Sequence, residues 1–527
     1  MFVGTWPLVR ASWKHSRSTV LSWASVVMLL SLLGVGFYDV LFPNPSDVES
    51  MQGAVDTNPA LTLVMGPVGD LSSTDGLGAW LTVGLGAFFV GIGMALLTVR
   101  SSRGQEDDGQ AELFASGVMG RGARLTSAIV IGTGGSLAAG LLTAIVATVS
   151  GGTVETQLLV GAIVTVTGWI ATAFAAVAAQ LGSEKQTANT LALGVLSALY
   201  VLRGFCYSLD LPEWTIWANP LGWMGQTEPV TDNIWWPLLL GVAFASLLVG
   251  IALFLQSRRD FGAGALAPKP GPNHGKIRGV GALTWRLNRS NVITWIGVLV
   301  VLGVMFGYFT ADAADTLGKN PAVQQLLASG TASQDDFNTQ VLVTELTILG
   351  VVAAIPGAQM LFKLRLEETA YRIEPVLATG LSRLRLFSSS LALAMFSTAL
   401  HLGLAGVLIS LVSRASGTDM GMRDVIAQTA ATLPAVWFFV ALAAFFVGVW
   451  PRGRAITWAA IMASFLLTVL GPMLQLSDWV LSWSPFHHVP SVTGADPTWT
   501  GLIILSAVDI LLLAVSFIGY RRRDINA

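Results

Sequence analysis

The chain has 527 residues, of which 53% are hydrophobic and only 11% charged, under half the charged share of about 25% usual in soluble domains. That balance excludes an ordinary soluble enzyme and points to the membrane; a net charge of −2 without basic runs gives no sign of a nucleic-acid partner. The single cysteine, Cys206, excludes an internal disulfide and a cysteine metal cluster.

Twelve apolar runs are long enough to cross a hydrocarbon layer of about 30 Å. In chain order they fall near residues 20–42, 77–99, 125–149, 157–181, 188–208 and 235–255, then 292–310, 341–362, 386–412, 426–450, 455–476 and 500–520. The first run is too long for a signal peptide and lacks a clear cleavage site, so it reads as a retained helix. With the N-terminus inside, 25 of the 29 Lys and Arg fall on the inner side, leaving only Arg203, Lys319, Arg414 and Arg423 outside. This satisfies the positive-inside rule and places both termini in the cytoplasm. Arg203 is expected to snorkel to the outer headgroups.

The two sets of six runs repeat one another. SWKHSRSTVLSW, residues 12–23, returns as TWRLNRSNVITW, residues 284–295. Arg103, Glu106, Glu112 and Arg121 after the second run match Arg365, Glu368, Glu374 and Arg383 after the eighth. Glu213-Trp214 with Asn219-Pro220 match Asp478-Trp479 with Ser484-Pro485, and Arg258-Arg259-Asp260 match Arg522-Arg523-Asp524. Six is even, so both halves start on the same side and are parallel repeats. The reading is an all-α polytopic membrane protein of about twelve helices in two parallel six-helix halves, 1–262 and 281–527. A Pro- and Gly-containing cytoplasmic linker, 263–280, joins them, and a central cavity is the natural consequence.

Each half is expected to open on an interfacial elbow helix: Trp13, Lys14, Arg17 and Trp23 in the first, Trp285, Arg286, Arg289 and Trp295 in the second. Trp suits the headgroup level and the bases suit anionic inner-leaflet lipid, so the elbows either anchor the next span or also transmit force. The loops 100–121 and 363–383 are too long for turns. They are either solvated loops or short helices shown to a soluble protein, with Leu113, Phe114, Val376 and Leu377 as anchors.

These elbows, the R-x-x-E loops leading into ELFASG and EPVLATG, and Trp450-Pro451-Arg452 resemble the permease subunits of actinobacterial ABC multidrug exporters of the tetronasin-resistance kind. In that family each half is similar to the membrane domain of G-subfamily exporters, with an elbow helix, a coupling helix between spans 2 and 3, and a re-entrant outer segment before span 6. The resemblance implies a bacterial plasma-membrane subunit that moves hydrophobic or amphipathic drugs outward by alternating access. It implies two copies of an ABC ATPase as partners, with ATP and Mg on that subunit and no cofactor on this chain. Consistently, Gly-Lys occurs only at 275–276 and 318–319, neither followed by Ser or Thr, so no phosphate loop is present. The rivals are a proton-coupled secondary drug transporter and a non-transporting membrane scaffold.

Inside the spans, Asp509 and His401 stand out, with Ala245 and about Ala139 at the matching first-half positions. Each serves a structural hydrogen bond, a cation or proton site, or a substrate contact. Phe37, Phe88, Phe89, Phe306 and Tyr308 are candidate cavity residues. The outer segments 213–224 and 478–490 read as re-entrant caps or interfacial Trp belts. The adjacent His487 and His488 cannot both face one ion from a regular helix, so no metal site is expected. Gly132, Gly134, Gly135, Gly403 and Gly406 are expected at close helix crossings.

Overall fold

The computed structural model describes residues 3–56, 62–63, 65–107, 120, 122–208, 211–259, 264–265, 279–319, 334–417, 421–473, 477–492 and 497–523. Among these, every regular element is a helix, as a chain in hydrocarbon requires: without water, each backbone N–H and C=O must be satisfied within its own segment or in a closed barrel.

The chain forms two compact units, Met1–Gly271 and Pro272–Ala527. The first contains the long helices α1 (Thr5–Gly36), α2 (Thr74–Asp107), α3 (Ala123–Val149), α4 (Val154–Leu181), α5 (Lys185–Ser208) and, after the short α6 (Trp214–Trp217), α7 (Trp236–Arg258). The second contains α8 (Val280–Lys319), α9 (Gln334–Thr369), the short α10 (Glu374–Leu377), α11 (Arg383–Ala415), α12 (Met422–Gly448), α13 (Arg454–Met473), the short α14 (Asp478–Leu481) and α15 (Thr500–Arg522). Eleven of them are long and apolar enough to cross a membrane. At the place of the twelfth expected span stands α13, whose predicted end, 474–476, lies outside the described residues.

The units are built alike. In the first, α4 lies at the centre against α2, α3, α5 and α7, while α1 packs along α3; in the second, α12 lies against α9, α11, α13 and α15, while α8 packs along α11. Local chemistry sets the ends: Ser382 caps α11 by accepting from the Arg385 N–H at 3.3 Å, and Pro237 occupies the first turn of α7, where no amide donor is needed.

Two expectations change. Among the described residues no separate elbow precedes either unit: residues 12–23 continue into the apolar stretch as one 32-residue helix, and residues 284–295 lie within the 40-residue α8. No helix breaker stands where a bend would be needed. Trp13, Lys14, Arg17, Trp285, Arg286 and Arg289 are exposed on the first turns of these helices. Trp23 and Trp295 turn inward instead, Trp23 lying over Gly93 and Trp295 donating Nε1–H to Gln359 Oε1 at 3.0 Å.

The glycines divide as well. A Cβ on Gly132 would stand 2.6 Å from Thr98 Oγ1, one on Gly135 2.7 Å from Met94 Sδ, and one on Gly406 2.5 Å from Thr429 Oγ1, whereas Gly134 and Gly403 face open space. The tightest crossing in α3 and α4 is Gly140 on Gly161, where a Cβ on Gly140 would meet the Gly161 carbonyl oxygen at 2.2 Å. Gly140→Val is therefore expected to cost about 1–3 kcal/mol or more by overpacking, and Gly134→Ala less than about 0.5 kcal/mol. Thermal unfolding of the two variants in detergent, followed by tryptophan fluorescence, checks the contrast.

Candidate functional site: two buried charge knots

The duplicated R-x-x-E motifs do not stand on the surface. Arg103 is 1% exposed and Glu368 2%, and each motif is the centre of a buried ion cluster at one end of its unit. In the first unit, Arg103 Nη1 donates to Glu106 Oε2 at 2.7 Å and its Nε to the Ala179 carbonyl at 3.0 Å. Arg259 Nη2 reaches the same carboxylate at 2.7 and 3.0 Å while its Nε bonds Gln180 Oε1 at 2.7 Å. Arg124 adds a contact at 3.4 Å. One carboxylate thus ties the ends of α2, α3 and α7, and the two arginines extend the tie to α4.

The second unit repeats the device with other side chains. Arg365 Nη1 lies 3.1 Å from Glu368 Oε2, Arg523 pairs with the same oxygen, and Tyr520 donates its hydroxyl to Oε1 at 2.5 Å. Arg383 donates Nη1–H to the Arg523 carbonyl at 3.0 Å and lies over the Tyr520 ring, which also stacks on Phe387 at 4.4 Å. The ends of α9, α11 and α15 are joined.

Of the eight residues expected to face a soluble partner, Arg103, Glu106, Arg365, Glu368 and Arg383 are therefore engaged in these knots. A buried carboxylate held by guanidiniums is already satisfied and has little left to offer a second protein. Glu112 and Arg121, with the anchors Leu113 and Phe114, lie outside the described residues. Glu374 remains exposed on α10, with Val376 and Leu377 half-buried beneath it. The turn that releases α10 from α9 passes through Tyr371 at φ 59°, a left-handed conformation unusual for an aromatic residue.

Other expected residues are scattered. Arg203 does not snorkel: it is 5% exposed, 4.6 Å above the Tyr200 ring, with Nη2 3.5 Å from the Gly84 carbonyl. Its side chain runs inward, where the Tyr200 face of its own helix and the Gly84 carbonyl of α2 serve the guanidinium in place of lipid phosphate. Phe88 stacks on Tyr200 at 4.0 Å, Phe89 and Phe306 are half-buried, and Phe37 and Tyr308 are 40% and 56% exposed. His401 is fully buried and donates Nε2–H to the Val292 carbonyl at 3.1 Å, joining α11 to α8. Asp509 is 6% exposed, with its Oδ1 buried and unbonded among the described residues.

The residue missed by sequence reasoning is Glu345. It is 1% exposed inside α9, and both its oxygens accept from Thr310 Oγ1, at 2.8 and 2.7 Å. Its signal was a carboxylate within the apolar stretch VLVTELTILG.

The outer segments are tied down rather than free. Asn219 Nδ2 donates to the Leu199 carbonyl at 2.7 Å, and Gln428 bonds Pro490 O and Val492 N at 2.9 and 2.8 Å. Trp214, Trp479 and Trp483 still project outward at 70%, 69% and 77% exposure.

Two units of one design, each with a central apolar helix and a charged knot at one end, define a polytopic membrane protein with an internal repeat. The comparisons agree: the family model of the C-terminal domain of the multidrug efflux system permease Rv1217c matches twice, over residues 9–255 and 277–521. The multidrug efflux system permease protein Rv1217c of Mycobacterium tuberculosis (strain ATCC 25618 / H37Rv) is 30% identical over 533 residues, spanning all of this chain and 96% of that protein. The chain belongs to this permease family.

Removing a knot carboxylate leaves buried guanidiniums uncompensated. Glu368→Ala is expected to destabilise the protein by about 3–5 kcal/mol, against less than about 0.5 kcal/mol for the exposed Glu374→Ala. Denaturant unfolding in detergent measures both.

Proposed function

We propose that the chain is the membrane subunit of an ATP-driven ABC exporter of the tetronasin-resistance kind, each half acting like a G-subfamily membrane domain. It moves hydrophobic or amphipathic drugs out of the cell by alternating access, powered by two copies of a separate ATPase. The observation that carries this reading is the duplication: a two-fold ATPase needs matching contact points, and each half has the same charged loop leading away from the same knot. The relative's description as a multidrug efflux permease supports the class of cargo, as does the scarcity of intramembrane charge to neutralise an ionic substrate. The basic ends of α1 and α8, and the knots, belong to the cytoplasmic face by the charge rule.

Burial of the R-x-x-E residues moves the contact surface. The ATPase is met by α10 and its first-half counterpart around Glu112, with acid for specificity and apolar side chains for affinity, while the knots carry the push into the spans.

Glu374→Lys is expected to lower recovery of the ATPase in co-purification about tenfold, a loss of about 1.4 kcal/mol, and to lower ATP-dependent transport while leaving the melting temperature unchanged. An ATPase that stays bound and coupled would show the contact to lie elsewhere. Transport driven by a pH gradient in vesicles without ATPase would overturn the class in favour of the proton-coupled alternative, with Glu345 and Asp509 as the carboxylates to test.

A further inference from the structure

The first unit holds a cavity of about 350 Å3 at the end that carries the loop before α2, within the range of about 300–1,000 Å3 for small-molecule sites. The buried Arg203 lines it together with Trp80 and Tyr207, and the exposed Asp70 and Glu228 stand at its mouth. By the charge rule this is the outer face.

The backbone around the cavity departs from regular geometry on two sides. Helix α2 widens into a π-helical stretch over Thr82–Gly86, and within it the Gly84 carbonyl accepts from Tyr200 Oη at 2.9 Å and Arg203 Nη2 at 3.5 Å. Such widenings inside α-helices are frequent at functional sites. Elsewhere in its lining Glu228 and Val230 have φ 44° and 86°, followed by Asn233 at φ 49°. A β-branched valine there is a genuine outlier, and it is held in place by its N–H bonding Asn233 Oδ1 at 3.2 Å. Strain of this kind concentrates where a site is shaped for a ligand. Trp80 is pinned by its Nε1–H to the Gly66 carbonyl at 3.1 Å, so the aromatic wall is already formed.

The feature belongs to one half. The repeat that aligns Trp214 with Trp479 puts Thr468 opposite Arg203, so no guanidinium occupies that place in the second unit.

Charge decides the ligand. Attraction to a buried guanidinium acts through a low dielectric and is several times stronger than attraction or repulsion at a solvated mouth, which salt screens. Hydrogen bonds from Ser72 hold the Asp70 carboxyl below the usual carboxylate range, so Asp70 keeps the mouth negative at neutral pH, while burial and the neighbouring Asp232 push the Glu228 carboxyl up. An acid group at Arg203 is favoured, an amine at the mouth adds a smaller preference, and a plain cation is opposed at depth.

We propose that this cavity binds an amphipathic organic acid, its carboxylate on Arg203 and its apolar body between Trp80 and Tyr207. The site goes beyond the export reading, because its binding is measurable on the purified chain without ATPase or transport.

The test titrates the full-length protein in detergent with dansylglycine, dansylamide and dansylcadaverine, an acid, a neutral and a cationic probe, and follows tryptophan-to-dansyl energy transfer. Dansylglycine is expected to bind at least about tenfold tighter than dansylamide, with dansylcadaverine weakest, and Arg203→Gln to erase the preference for the acid. Because Arg203 also packs against α2, a second arm leaves it intact. Asp70→Asn and Glu228→Gln, which remove only mouth charge, are each expected to tighten dansylglycine about threefold without changing the melting temperature. Equal affinity for acid and amide in the unaltered protein, or acid binding indifferent to all three substitutions, overturns the proposal.

Discussion

A carboxylate buried among guanidiniums governs how each unit is put together. Helices in hydrocarbon have little hydrophobic reason to choose one neighbour over another, since lipid tails are as apolar as leucine. An ionised Glu106 or Glu368 supplies that reason. Taking such a charge out of water costs several kcal/mol, recovered only when the geometry is complete. Glu106 is complete when Arg103, Arg124 and Arg259 arrive together, and Glu368 when Arg365, Arg523 and Tyr520 do. The partners come from helices far apart in the chain, so the knot selects one arrangement of span ends. The glycine crossing at Gly140 and Gly161 then fixes how closely α3 and α4 approach.

On this shared frame the two halves have diverged in what they bury. The first unit buries the cation Arg203 in a span and the carboxylate Asp75 at the start of α2, where Thr153 and Gln157 bond it; the second buries the carboxylates Glu345 and Asp509, opposite an alanine at position 245 in the latter case. The knots are matched between halves, whereas these intramembrane charges are not. Matched features answer to the common architecture; an unmatched one either packs its own half, as His401 does by bonding the Val292 carbonyl, or serves a task of that half alone.

Much of the fold was legible in the sequence because its signal is coarse: apolar runs of span length and motifs recurring in order. The R-x-x-E repeat was visible too, but its burial was not. Arg103 and Glu106 are three apart, but Arg259 lies 153 residues beyond Glu106, and no local pattern announces that closure. Arg203 was misjudged for a related reason: hydropathy places a residue by depth and says nothing of whether it faces lipid or its neighbours. Glu345 was passed over because the surrounding run remains apolar enough to read as a span. The elbows were inferred from Trp and base at headgroup spacing, yet the same residues suit the first turns of an unbroken helix.

That continuity bears on how an export cycle would move the protein. A separate elbow joined by a hinge could swing while its span stayed still. Helix α1 has 32 residues, about 48 Å at 1.5 Å per residue, and runs from its exposed basic turns to the far end of the unit without a break. It packs along α3, whose first turn carries Arg124 of the knot; α8 packs along α11, which begins at Arg383. A push at the knotted end is therefore delivered to several spans at once, with little local bending to absorb it. Packed helices tied in this way move as bodies by tilt or small shear. Under the proposed mechanism the moving part is the whole unit, and α10, standing outside the knot on a strained turn, is the handle.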